Sequence, residues 1–471
     1  KGIELTTLAS GDLIVETMSS SIKGNKELSL ERLDKFLANT SFSRYCYREK
    51  EMIKRYLKEL RKQIISNNYN FSLVQAKEII AFPKILLIRA IAFEQNKCLS
   101  NFNPKVLILT HTGGGGHLSA GLSIYEILIQ NYDPLLINPL ETMYGDGLFN
   151  RFQKQGHYTL LKLLARGQAL AEQVFCPIQV IPDLERLIDE EKPQLVISVF
   201  PVANFLTFEV CKKRNIPFVV VATDLEAQHF IKHIDRPSPN LFKFVIAFDD
   251  PALKAPFLNK LTDENIFPIG FPIRKDFVLN NPKIRTYWKK KFKIKDKDRV
   301  VLLMVGAQGS FLLTHYAKLF LQESCQSRLH VIAICAGNDE CYDQLHNLKK
   351  EYRHRKMSLH LFKEVSGADV AAFMSLSHLF ITKPGGASVN EALTMSLRML
   401  FVKKAVEGMH WELGNAKYVI NRGFGEFIES DEHFLEQVDQ GISKGPLVLD
   451  ECPSKSFHIH FQKLVSEIIN H

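Results

Sequence analysis

No apolar run in the 471-residue chain reaches the ~18 residues that a membrane-spanning helix needs. The nearest, Ile85 to Phe93, is broken by Arg89. No Cys-x-x-Cys pair occurs among the eight cysteines, which are scattered at 46, 98, 176, 211, 325, 335, 341 and 452. In a chain of this size that scatter reads as reduced thiols in an intracellular protein, and it argues against a disulfide scaffold or a cysteine zinc site. The two common nucleotide fingerprints are missing as well: there is no G-x-G-x-x-G and no P-loop Gly-Lys-Ser/Thr. With 46% hydrophobic and 24% charged residues, disordered and fibrous classes are excluded.

What is present is a basic surplus and a change of rhythm. The net charge is +9, which suits an anionic partner. Residues 1–100 carry 17 Lys/Arg against 11 Asp/Glu, and Arg48 to Ile65 repeats apolar residues every three or four positions. This part reads as a helical basic extension. From Pro104 onward, short continuous apolar runs alternate with helical segments: Val106–Thr110, Leu135–Asn138, Leu195–Phe200, Phe218–Thr223 and Phe244–Phe248. Arg151 to Phe175 reads as a helix among them. After a pause at Gly270–Arg274 and a very basic stretch, Lys283 to Arg299, the alternation restarts with Val300–Val305, His330–Ala336, Leu359–Phe362, Leu379–Thr382 and Met399–Val402. Such runs are what buried parallel strands look like. Two series imply two Rossmann-like, doubly wound α/β domains, 101–273 and 274–471, with a ligand cleft at the carboxyl ends of the strands.

Three loops sit where such a ligand would bind. The first strand runs into Thr112-Gly113-Gly114-Gly115-Gly116-His117 and then a helix. Glycines there let a ligand approach the backbone, and the helix start favours an anion or polar head. Taken alone, His117 reads first as a helix-start hydrogen bonder and second as a base for a hydroxyl proton. The second loop, Thr382-Lys383-Pro384-Gly385-Gly386-Ala387-Ser388, offers unhindered amides to a diphosphate, and Glu391 lies one turn on, placed for a ribose diol. The third holds Gly306 and Gln308. Asp224 follows the strand at 218–223, with His229 five residues on, and reads equally as the orienter of a base or as a helix cap. Asp249-Asp250-Pro251 reads as a turn rather than a metal pair.

These residues resemble the lipid-directed branch of glycosyltransferase family 28, the monogalactosyldiacylglycerol synthases and processive diacylglycerol glucosyltransferases. The similarity runs from about Lys105 to about Phe427. It rests on Thr112–His117, Ala222-Thr-Asp-Leu225 with His229, Gly270-Phe-Pro-Ile-Arg274, Thr382–Gly386, Glu391-Ala392 and Trp411-Glu-Leu-Gly-Asn415. The resemblance implies a GT-B fold: the second domain binds a UDP-sugar and the first presents the acceptor through Gly114, Gly115, Gly116 and His229. It implies inverting, metal-independent transfer to a lipid hydroxyl, diacylglycerol first, by a cytoplasmic protein peripheral to an anionic membrane. His117 or Asp224 would be the base or its partner; Gly385, Gly386, Ala387 and Ser388 would hold the diphosphate, and Glu391 the ribose. Trp411, Glu412 and Asn415 would lie near the sugar and its phosphates, with Gly306 and Gln308 also on the donor side. No cofactor beyond the UDP-glucose or UDP-galactose donor is implied.

The chain departs from the family at Gly408-Met409-His410-Trp411-Glu412, where a Gly-Gln-Glu is usual. The insertion of two residues puts Trp411 in place of a glutamine that helps choose the sugar. A peptidoglycan-precursor transferase and a non-catalytic nucleotide-sugar binder are the competing readings. Nucleic acid is not expected, because no aromatic-interleaved basic motif accompanies the charge. Lys283 to Arg299 reads as a solvated linker and helix in preference to a lipid contact.

Overall fold

The computed structural model describes residues 103–111, 115–138, 180–307, 309–322, 328–352, 357–407, 412–449 and 452–470. The helical readings at Arg48–Ile65 and Arg151–Phe175 lie outside them. Two six-stranded sheets are built, and every strand pairing in both is parallel. The first contains β1 (Lys105–Leu109), β2 (Asp133–Ile137), β3 (Leu195–Ser198), β4 (Phe218–Val221), β5 (Phe242–Val245) and β6 (Ile266–Phe267), in the order β2-β1-β3-β4-β5-β6. The second contains β7 (Arg299–Met304), β8 (Leu329–Ile334), β9 (Met357–Phe362), β10 (Leu379–Thr382), β11 (Arg398–Phe401) and β12 (Gly425–Phe427), in the order β12-β11-β10-β7-β8-β9. The ten strands expected from apolar runs are all found, with ends shifted by at most three residues. β6 and β12 are additions at sheet edges, too short or too polar to show as runs.

The continuous apolar character of the strands has a direct cause. In β7, Val300 and Leu302 enter one core while Val301 and Leu303 enter the other, and all four are fully buried. Helices cover both faces of a parallel sheet, so in inner strands such as β3, β4, β8 and β10 no position alternates toward water, while the edge strands β2 and β9 do alternate. The covering helices of the first half include α1 (Gly116–Leu128), α2 (Ile181–Glu191) and α3 (Asn204–Lys213). Asp250 caps the short helix α4 (Pro251–Lys254) through a bond from Ala252 N at 2.8 Å, as a turn-forming acid does. The second half carries α5 (Lys275–Leu279), α6 (Pro282–Lys291), α7 (Leu312–Gln322), α8 (Asp339–Glu351), α9 (Gly367–Leu376), α10 (Gly386–Thr394), α11 (Lys403–Glu407), α12 (Leu413–Asn421) and α13 (Phe434–Ser443).

The chain passes between the sheets twice, and the two crossings touch. Phe271 N donates to Ser454 Oγ at 3.0 Å, and Gly270, at φ +111°, has no room for a Cβ beside the backbone of Pro453. The final helix, α14 (Phe457–Asn470), then packs against α1, where Gln462 Nε2 donates to Ile127 O at 3.1 Å.

The basic helix α6 is tied to the second half by Trp288. Its ring meets Phe373 at 4.9 Å, Phe292 at 5.1 Å and Phe362 at 5.3 Å, and its Nε1 donates to Asp369 at 2.6 Å. Truncation there leaves a large cavity and a carboxylate without its donor. Trp288→Ala is therefore expected to cost about 3–5 kcal/mol, read as a lower urea midpoint, with Trp288→Phe costing less.

Candidate active site

Both sheets change winding direction at one place, and that is where open α/β sheets bind ligands. In the first half the switch lies between β1 and β3; in the second it lies between β7 and β10. His117, the second residue of α1, spans the first switch point. Gly115 supplies the left-handed turn (φ +79°) that aims the chain into the helix. The half-buried His117 ring places Nδ1 2.9 Å from Val199 O, just past β3, and 2.9 Å from Thr223 Oγ1, just past β4. A peptide carbonyl only accepts, so Nδ1 carries the hydrogen and the lone pair of the neutral ring stays on Nε2. Thr223 Oγ1 in turn donates to the same carbonyl at 3.2 Å. Burial lowers the His117 pKa to about 4, against the opposing pull of Asp224 and the Val199 bond.

Asp224 does not bond His117. Its Oδ1 accepts from Asn415 Nδ2 at 2.9 Å, and its Oδ2 lies 3.5 Å from His229 Nε2. Burial would raise its pKa, but the His229 and Asn415 bonds and the nearby imidazoles outweigh burial and hold it below the ordinary carboxylate value. The helix-cap alternative fails, because the next turn, a 3-10 segment at Gln228–Ile231, starts behind Ala227. Asp224 is thus a fixed negative charge beside a neutral imidazole.

Asn415 belongs to the other half. From α12 it bonds Asp224, accepts from Leu225 N at 2.6 Å and donates to Pro384 O at 3.0 Å, joining the 223–225 loop to the Lys383–Gly386 loop. Three glycines make this approach feasible: a Cβ on Gly386 would collide with Thr223 O, one on Gly414 with Glu226, and one on Gly115 would stand 2.7 Å from Ala307 Cβ. Gly385 caps α10, and the amides of Gly386, Ala387 and Ser388 open its first turn, where no carbonyl lies one turn back to bond them. Lys383 pairs closely with Glu412 beside Gly385. Both side chains are buried, and Glu412 Oε2 has no hydrogen-bond partner among the described residues. Burial first, and the Asp224 charge last, raise the Glu412 pKa against the pull of Lys383.

Glu391, buried one turn into α10, accepts from Arg274 Nε at 2.8 Å. The Arg274 guanidinium stacks over Phe277 at 4.8 Å. Gly306 stands directly after β7 at the second switch point. Gly114, Gln308 and Trp411 lie outside the described residues, as does Gly408–His410. Val199 and Lys383 were not singled out for a role by sequence reasoning, and Arg274 only as part of a motif. Lys383 and Arg274 stood inside quoted motifs, whereas a main-chain carbonyl carries no side-chain signal.

No protein-family model matches the chain. It is 27% identical over 355 residues to a processive diacylglycerol beta-glucosyltransferase of Staphylococcus haemolyticus (strain JCSC1435), covering 71% of this chain and 84% of the relative. The enzyme of the same name from Bacillus subtilis (strain 168) is 25% identical over 354 residues, covering 72% and 87%. Among solved structures, a putative UDP-N-acetylglucosamine 2-epimerase from Listeria monocytogenes superposes with a TM-score of 0.50 at 13% identity, over 78% of this chain and 96% of that one, which speaks to the fold alone. The class defined by two facing doubly wound sheets and by these relatives is a glycosyltransferase of the GT-B fold. Within it, the chain is similar to processive diacylglycerol beta-glucosyltransferases, in keeping with the resemblance its motifs carry.

The ring geometry is directly observable. Nitrogen-15 NMR of imidazole-labelled protein at pH 7 should show His117 neutral with the hydrogen on Nδ1, and titrating near 4. Because the unfolded ring titrates near 6.5, the unfolded chain binds the extra proton between those values. His117 therefore makes the fold less stable as pH falls from about 6.5 toward 4. An Nε2–H tautomer would remove this assignment.

Proposed function

We propose that the protein transfers a hexosyl group, with inversion, from UDP-glucose or UDP-galactose to the free hydroxyl of diacylglycerol at a membrane surface. The observation that carries this reading is His117 at the first switch point, neutral and pinned through Nδ1, so that its lone pair stays on Nε2. Nε2 takes the acceptor's hydroxyl proton as that oxygen bonds the anomeric carbon. The bond from this carbon to the diphosphate breaks, and UDP leaves with the electron pair. The imidazolium formed is stabilised by the Asp224 carboxylate, whose charge already raises the His117 pKa against burial. Negative charge growing on UDP meets the first-turn amides of α10 and the Lys383 ammonium. Glu391, held by Arg274, takes the ribose diol. Glu412 Oε2 accepts from a sugar hydroxyl and so gains the partner it lacks here.

The activity for which the relatives are named supports diacylglycerol and glucose; the substituted Gly408–Trp411 segment keeps galactose as the alternative donor. No helix among the described residues is long and apolar enough to cross a membrane.

The decisive assay offers diacylglycerol in anionic liposomes with each UDP-hexose and reads both glycolipid and free UDP. Glycolipid from one donor is expected. UDP without glycolipid would reassign the acceptor, and no UDP from any donor would leave only nucleotide-sugar binding. His117→Ala should lower kcat by at least about 100-fold while UDP still binds. Arg274→Ala should weaken UDP by about tenfold through the loosened Glu391, yet leave the affinity for 2′,3′-dideoxy-UDP unchanged. Equal losses for both nucleotides would place Arg274 on the phosphates instead.

A further inference from the structure

The charge of this chain is concentrated in two places. Residues 275–297 hold nine Lys/Arg against two Asp, a net of +7. Residues 1–100 hold +6, which leaves the remainder at −4. The stretch 275–297 is described throughout, and helix α6 lies at its centre. Ile284 and Trp288 turn inward toward the core, with Phe292 just beyond the helix. One helical repeat round from that line, Lys283, Tyr287, Lys290 and Lys291 fall together on the outer face, and all four are exposed. Tyr287 is 54% exposed, and Leu279, the last residue of α5, is 63% exposed.

This face is hard to explain as an ordinary solvated one. A helix stabilised by surface charge interleaves acids with bases at i, i+4, and α6 contains no acid. Lys289 is drawn off to Asp296 and Arg285 to Ser375 O, so neither contributes to the outer row. The helix dipole favours the cations of the last turn, at 289–291. It disfavours Lys283 in the first turn, and it has no bearing on the exposed Lys293, Lys295 and Lys297 beyond the helix. Like charges held on one face repel, at a cost to folding that an opposite charge outside the chain would remove.

We infer that the outer face of α6, with Lys283, Tyr287, Lys290 and Lys291 and the neighbouring Leu279, docks the protein onto a bilayer containing anionic phospholipid. Cations near such a surface each strengthen binding, and an exposed tyrosine among them is the residue type that settles at the headgroup level. The exposed leucine favours a bilayer over a nucleic acid, whose charged backbone offers it nothing to enter. The inference rests on the proposed lipid acceptor, for which it supplies an attachment independent of the catalytic crevice. Trp288 makes that attachment rigid, by fixing the helix to the core of the half that holds the donor loop.

The test is co-sedimentation of the full chain, without donor, with vesicles of phosphatidylcholine plus phosphatidylglycerol and with vesicles of phosphatidylcholine alone. The native chain should bind the anionic vesicles only, and less as salt rises. Lys283→Glu/Lys290→Glu/Lys291→Glu should weaken that binding by about 100-fold, and Tyr287→Ala by a smaller factor that salt does not change. The glutamine triple variant should fall between. Folding is checked by an unaltered circular dichroism spectrum, and by unaltered turnover on detergent-dispersed diacylglycerol. Vesicle binding equal to the native chain in the glutamate triple variant overturns the inference, whether residues 1–100 or another surface then carries it. Failure of the lipid-acceptor reading shows separately, as absence of glycolipid in detergent where α6 plays no part.

Discussion

The site depends on how closely two backbones can approach. Gly386 sits against the carbonyl of Thr223, and no residue with a Cβ could take its place without pushing the halves apart. The contact aligns three things: the start of α10, the Asp224 carboxylate and the His117 ring. Asn415 then reads the result, since its amide reaches Asp224, Leu225 and Pro384 at once only when the two loops are adjacent. Proximity of the imidazole and the first-turn amides of α10 is thus set by main-chain geometry, which costs no side-chain entropy to arrange.

The electrostatics follow from that closeness. A buried imidazole stays neutral, and a carboxylate a short way off stays ionised, because one is desolvated and the other is hydrogen-bonded. Environments that push two titrations apart are what assign a proton acceptor and a charge partner. Glu412 and Lys383 form a buried pair beside Gly385, and half-buried Arg274 pairs with buried Glu391. Each pair is held by one residue of the Lys383–Glu391 segment and one from outside it, so the donor loop and its helix are fastened at both ends.

Much of this was legible in the chain itself. Apolar runs marked the ten longer strands, because strands buried on both faces leave no polar positions. Glycine clusters after β1 and β10 marked the switch points, because only a strand-to-helix turn there needs bare backbone. The edge strands Ile266–Phe267 and Gly425–Phe427 escaped, since two or three residues, half-buried in the second case, make no run. The orienter of His117 escaped for a deeper reason: Val199 acts through a carbonyl that every residue possesses, and 82 positions separate the partners. Spacing set His229 beside Asp224, and the two do meet; Asn415, which completes the set, comes from 191 positions away. Glu391 was assigned to a ligand on its place in the helix, but its bond to Arg274 spans 117 positions and is visible only once the chain has folded.

The double crossing beside Gly270 and Pro453 also governs how this protein can be taken apart. Helix α14 comes last in the chain yet packs on α1, near its beginning. A fragment ending at the first crossing would bare the surface of α1 that Phe461 and Leu464 help to cover. A fragment beginning there would carry an amphipathic helix with nothing to lie on. Neither half is a contiguous piece of the gene, so splitting the protein for complementation, or grafting one half onto another donor-binding partner, requires that the last fourteen-residue helix travel with the first sheet.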